Sequence, residues 1–260
     1  MDLKIFTEGK IDNQSIVFVH GFPFDHLMWQ KQIEELKSDF YCVSYDIRGL
    51  GKSPAGNGQF TIESFVDDLE RLINSLKLKE PILCGLSMGG YISLRAIEKN
   101  QNLYKALILC DTKSEADTNE VKINRANGIK KINREGVKLY VDDFIPNCFS
   151  KKSINKIEID YKNIIWRAEK FSPQGVKGCL LAMAGRTDTT GFLNKINIPV
   201  LVICGEDDTL APPGVMKAMS DKIADADFKV VRNAGHLSPV ENAEEFNRYL
   251  IEFLKAKVKI

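Results

Sequence analysis

The stretch Pro81-Ile82-Leu83-Cys84-Gly85-Leu86-Ser87-Met88-Gly89-Gly90 decides how the rest of the chain is read. An apolar run stops at a glycine. A serine follows two residues later, then two glycines, then Tyr91, Leu94, Arg95, Ile97 and Glu98 at helical spacing. This is G-x-S-x-G set between a predicted strand and a predicted helix. The turn must be sharp, which forces Ser87 into an unusual backbone conformation and requires small residues two places to either side. Gly85 and Gly89 meet that need, and Gly90 lets the helix lie close on the strand. Such a turn lifts the Ser87 hydroxyl above the sheet at a helix N-terminus, where N–H groups and the helix dipole favour negative charge. The pentapeptide alone also fits an ordinary Gly-rich turn with a bystander serine, so its flanks must decide.

Upstream, residues 3–7, 15–20 and 40–45 read as strands, and Ser15 to His20 is a continuous apolar run of the fully buried kind. Leu27 to Leu36 has helical spacing, and Thr61 can cap a helix running to about Leu76. Downstream, 105–110, 199–204 and 227–231 read as strands, 212–224 and 240–256 as helices. From 113 to 193 there are helical patterns and no strand. Strands alternating with helices predict an α/β fold with a mostly parallel sheet covered on both faces. The division expected is a core of residues 1–112 and 194–260 with a helical lid at 113–193. That lid carries 15 Lys/Arg against 10 Asp/Glu, a net +5 that leaves −4 for the remainder. The excess fits a solvated helical surface or, alternatively, cations that meet an anionic substrate.

A chain of 260 residues, 44% apolar and 27% charged, has the composition of a folded globular protein. Its net charge of +1 gives no reason to expect nucleic acid or an acidic membrane as a partner. The start has no signal-peptide core and no segment is long enough for a membrane span. The six cysteines, four of them in or at the end of apolar runs, are therefore expected to be reduced and structural in a cytoplasmic protein. No CxxC pair or His/Cys cluster points to a metal, and no cofactor is expected.

Serine is a weak nucleophile and needs a base oriented by a carboxylate. His236, in Asn233-Ala234-Gly235-His236-Leu237-Ser238-Pro239, follows the last predicted strand and can reach over the carboxyl edge of the sheet. His20 is the other candidate base, or else a residue that pins its own turn. The loop Gly205-Glu206-Asp207-Asp208 offers three acids beyond the preceding strand. Oxyanion donors are expected from the backbone N–H groups of Met88, the residue after the nucleophile, and Phe22, because Pro23 has none to give.

His20-Gly21-Phe22-Pro23, Asp46-x-Arg48-Gly49-x-Gly51-x-Ser53, Gly85 to Gly90, Gly205-x-x-Asp208-x-x-x-Pro212 and Gly235-His236 occur in the order found in α/β-hydrolases, which the chain resembles over essentially its whole length. The resemblance implies an eight-stranded sheet, singles out Asp208 as the acid, and makes 113–193 a cap. Asp111-Thr112 and Arg186-x-Asp188 are similar to small bacterial esterases and 3-oxoadipate enol-lactonase-like hydrolases. Ser87 stands where dehalogenases and epoxide hydrolases carry Asp, and the HGGG loop of lipase-like members is missing.

The expected activity is hydrolysis of small esters or lactones through Ser87, His236 and Asp208. The alternatives are a cofactor-free perhydrolase (haloperoxidase-like) or an acyltransferase on the same residues, and, in a different class, a small-molecule receptor. Phe24, Trp29, Leu210 and Leu237 flank the motifs and are candidate pocket residues. Phe144, Phe149, Trp166, Met183 and Phe192 are candidates from the lid. Inward-facing Arg125, Arg167 or Arg186 would favour a carboxylate-bearing substrate.

Overall fold

The computed structural model describes residues 2–258. Its frame is one sheet. In chain order the elements are β1 (Ile5–Glu8), β2 (Ser15–Val19), α1 (Gln30–Leu36), β3 (Tyr41–Tyr45), α2 (Ile62–Ser75), β4 (Ile82–Leu86), α3 (Met88–Asn100), β5 (Leu107–Cys110), α4 (Asn119–Phe144), α5 (Glu158–Ala168), α6 (Pro173–Ala184), β6 (Val200–Gly205), α7 (Pro213–Ser220), β7 (Ala226–Val231), α8 (Ser238–Glu241) and α9 (Ala243–Phe253). The strands lie in the order β1-β3-β2-β4-β5-β6-β7. β1 runs antiparallel to β3, and every other pair is parallel.

The pattern follows from burial. β2 to β6 are buried along their whole length because helices cover both faces, so their sequences are almost wholly apolar, with Ser15 and Ser44 as the buried polar exceptions. The edge strands β1 and β7 are only partly covered and are correspondingly mixed. Among the described residues the sheet has seven strands, not the eight implied by the resemblance. The seven are the segments that the apolar runs themselves mark; the eighth had no segment of its own in the sequence.

Local chemistry places the helix starts. Thr61 Oγ1 accepts the Ser64 N–H at 3.1 Å, and the Ser172 side chain caps α6 ahead of Pro173. The closing helix expected at 240–256 is two helices. Asn242 leaves helical geometry and its side chain accepts the Glu245 N–H, so the chain restarts there as α9.

Between β5 and β6 the described residues form helices joined by loops, with no strand among them. Within α4, Gly136 has φ 86° and ψ 170°, which ends one helix and starts another at an angle to it. α4 packs chiefly on α6, and also on α5. All six cysteines are buried and free. No described helix is long and apolar enough to cross a membrane.

Candidate active site

Ser87 sits at the junction of β4 and α3 with φ 53° and ψ −114°. The close approaches that the motif demands are present. A Cβ on Gly85 would lie 2.4 Å from the Gly89 carbonyl oxygen, and one on Gly89 would lie 2.1 Å from that of Val19. Only glycine permits β4, β2 and α3 to come this near one another. The Ser87 carbonyl accepts the Thr112 hydroxyl at 2.8 Å and the Tyr91 N–H at 3.1 Å, which fixes the turn against β5 and the first turn of α3. Met88 opens that helix, so its N–H has no intrahelical acceptor. The Phe22 N–H likewise donates to no protein acceptor among the described residues.

His236 is buried in the loop between β7 and α8, and its Nδ1 lies 2.9 Å from Asp208 Oδ2. The three acids after β6 divide the work. Glu206 accepts the Asn233 N–H, and Asp207 accepts the Ser150 hydroxyl at 2.6 Å and the Lys152 ammonium at 3.0 Å. Only Asp208 reaches the imidazole. Burial alone would raise the Asp208 carboxyl, but the imidazole and the N–H groups of Ala211 and Leu210 outweigh it and hold Asp208 below the usual carboxylate range. A second acid, Asp111, brings an oxygen into the same cluster, within 4.8 Å of the Asp208 and His236 atoms. Burial and the neighbouring Asp208 push Asp111 well above the ordinary value. It accepts the Gly205 N–H at 2.8 Å and shares a 2.5 Å hydrogen bond with the Ser238 hydroxyl.

Glu241 ties this loop to the helical segment. One of its oxygens accepts the N–H groups of Gly235 (2.9 Å) and Leu237 (3.1 Å), on either side of His236. The other accepts the Ser150 N–H (2.8 Å) and the Ser153 hydroxyl (2.5 Å). The His236 N–H donates to the Cys148 carbonyl at 2.9 Å.

His20 has the turn-holding role. Its Nδ1–H donates to the Gly21 carbonyl at 2.8 Å and its Nε2 accepts the Ile47 N–H at 2.9 Å. Burial lowers its pKa, in keeping with a neutral ring.

Ser87 and His236 open onto one cavity of about 520 Å³, well within the range of small-molecule sites. Phe22, Phe144, Met183 and Leu210 line it, together with Arg125. Six other expected pocket residues do not. Trp29 is fully buried against Phe18 and Phe246, and Phe24 and Leu237 are core residues as well. Trp166 is 57% exposed on the outside of α5, with the Lys170 ammonium over its ring. Phe149 and Phe192 are also outside the lining. Arg167 pairs with Asp25, and Arg186 is buried on Asp117 behind the wall.

Sequence reasoning missed Tyr91, Lys113, Val121, Asn124, Tyr140, Leu180 and Thr209. Tyr91 carried a signal, since it lies four residues after Ser87 and therefore on the same face of α3. The others did not, because their directions depend on how α4 and α6 pack.

A parallel sheet with a strained serine turn at its carboxyl edge, facing an Asp-held histidine across one cavity, is the arrangement of a hydrolase fold. The profile of the alpha/beta hydrolase family matches residues 16–249, and the chain belongs to that family. The structure superposes on a thermophilic esterase from Thermogutta terrifontis, solved with malate bound, with TM-score 0.93, 34% identity and coverage of 98% of this chain and 93% of that one. The enol-lactonase from Burkholderia xenovorans LB400 matches with TM-score 0.91, 27% identity and coverage of 97% and 96%. The non-heme chloroperoxidase CPO-A1 of Kitasatospora aureofaciens is 29% identical over 97% of this chain and 96% of its own.

Proposed function

We propose that the protein is a serine hydrolase of small carboxylic esters or lactones, with Ser87 as nucleophile, His236 as base and Asp208 as its orienting acid. The observation that carries this reading is the 2.9 Å contact between His236 Nδ1 and Asp208 Oδ2, in a histidine that shares its cavity with Ser87. Nδ1 is occupied by the acid, so Nε2 is the nitrogen available to the serine. His236 takes the Ser87 proton as Oγ attacks the carbonyl carbon. Asp208, ionised, stabilises the imidazolium that forms. The Met88 and Phe22 N–H groups receive the oxyanion. His236 returns the proton to the departing alkoxide, and water then attacks the acyl-enzyme by the same route and regenerates the serine. Residues 113–193 act as a cap over the cavity on a core of 1–112 and 194–260.

The test is turnover of p-nitrophenyl esters and labelling by a fluorophosphonate. Ser87→Ala should abolish labelling and lower kcat at least about 10³-fold. A variant that keeps its rate within tenfold would overturn the assignment. The chloroperoxidase relative favours one second reading, in which peroxide replaces water as acceptor and leaves as a peracid. Halide oxidation that depends on both peroxide and a carboxylic acid, and that disappears in Ser87→Ala, is the result that reading requires.

A further inference from the structure

The walls of the cavity are chemically uneven. One side is aromatic: Phe22, Tyr140 and Phe144 form a cluster with ring centroids 5.8–6.3 Å apart. None of the residues that line the cavity is a carboxylate, and its charged lining residues other than His236 are Lys113 and Arg125, both cations. Lys113 follows Thr112, whose hydroxyl touches the Ser87 carbonyl, so its backbone is a neighbour of the nucleophile turn.

The local supply of anions does not match these cations. Asp117 is fully buried and serves two guanidiniums, Arg125 through Nε and Nη2 and Arg186 through Nη1. Arg186 is otherwise spent on the Glu115 and Met183 carbonyls and on the face of Tyr91. Arg125 keeps Nη1 unused. Lys113 is half-buried and makes no hydrogen bond or ion pair among the described residues; Glu115, two residues on, lies near enough to be felt, and its buried Oε2 also has no hydrogen-bond partner. Burial and the nearby Arg186 hold the Lys113 ammonium below the usual lysine range, an effect that the carboxylates of Asp117 and Glu115 offset only in part. Leaving an ammonium partly desolvated and unpaired costs stability. A site that tolerates this cost beside its nucleophile is arranged for an anion that arrives with the substrate.

We propose that the substrate is an ester or lactone bearing a free carboxylate, which Lys113 and Arg125 receive within the cavity. This rests on the ester-hydrolase reading of the site and adds the substrate class to it. The guanidinium supplies direction and the ammonium charge.

The test compares matched esters that differ only in charge. Mono-p-nitrophenyl glutarate is set against p-nitrophenyl valerate, and 4-carboxyphenyl butyrate against phenyl butyrate, so the carboxylate is placed on either side of the scissile bond. The wild type should favour the charged member of at least one pair in kcat/KM by about tenfold or more. Lys113→Met should reduce that ratio about tenfold, and Lys113→Arg should keep most of it. Arg125→Met strands Asp117 and is the less informative variant. A wild type that prefers neither charged ester, or a preference that Lys113→Met leaves intact, overturns the proposal. Binding of glutarate alone, followed by calorimetry, separates this failure from failure of the esterase reading. Glutarate binding that Lys113→Met weakens, in a protein that cleaves no ester, upholds the anion site and removes the reaction. No glutarate binding in such a protein removes both.

Discussion

Replacing Glu241 should loosen the loop that carries His236. The side chain is buried and its carboxylate accepts four hydrogen bonds, two from N–H groups flanking His236 and two from the segment at 150–153. In Glu241→Gln the amide oxygen can keep the two loop N–H groups, and the Ser153 hydroxyl can rotate to accept from the new NH₂. The Ser150 N–H cannot rotate and is left buried without an acceptor. One such orphan costs about 1–3 kcal/mol. Glu241→Ala removes all four acceptor contacts, which places it at about 3–5 kcal/mol, the scale of breaking a buried charged network. Urea unfolding gives the stability difference, and kcat for a p-nitrophenyl ester gives the effect on the base. The Gln variant should retain most of kcat, because its loop contacts survive. The Ala variant should lose about tenfold or more in kcat with a smaller change in KM, because the imidazole's own support has gone. A Glu241→Ala protein with wild-type unfolding midpoint and kcat would refute this account of the loop.

Asp208→Asn should lower kcat about 10²–10⁴-fold by removing the acceptor for Nδ1–H, whereas Asp111→Asn, which mimics a carboxyl held neutral by burial, should keep kcat within about threefold. Because the folded chain binds the Asp111 proton more tightly than the unfolded chain, this group withdraws stability as pH rises from the ordinary carboxylate value to its own raised one; urea midpoints should therefore fall less with rising pH in Asp111→Asn than in the wild type. Gly89→Ala places a methyl 2.1 Å from the Val19 carbonyl oxygen, backbone that cannot step aside, and should cost about 3 kcal/mol or more, read as loss of the cooperative thermal transition.

The sheet was legible because strands buried on both faces must be apolar at nearly every position, and few other segments in a globular chain are. The elbow was legible because steric exclusion leaves no residue but glycine at 85 and 89. The choice among Glu206, Asp207 and Asp208 came from the resemblance, since three adjacent acids have the same chemistry until the folded chain points each elsewhere. Asn242 and Glu245 contained a helix-start signal that a continuous amphipathic pattern concealed. The pocket was least legible. Trp29 and Trp166 are equal in composition and opposite in fate, one sealed beneath α9 and one facing solvent. Which way a lone aromatic faces is set by what packs against its element, and for α4 to α6 that information lies in contacts far apart in sequence.

Both walls of the cavity come in large part from one helix, and Gly136 is the reason they can. Arg125, Val121 and Asn124 belong to the half of α4 before it, Tyr140 and Phe144 to the half after it. An added Cβ at 136 would meet nothing within 4 Å, so glycine is not there to make room. It is there for φ 86°, a conformation that side-chain-bearing residues adopt only at a cost of about 1–3 kcal/mol. A straight helix could not turn a polar, cationic face and an aromatic face toward the same small volume from opposite ends. The bend therefore brings two faces of α4 to one cavity, as the strained turn at Ser87 brings that serine to the same space.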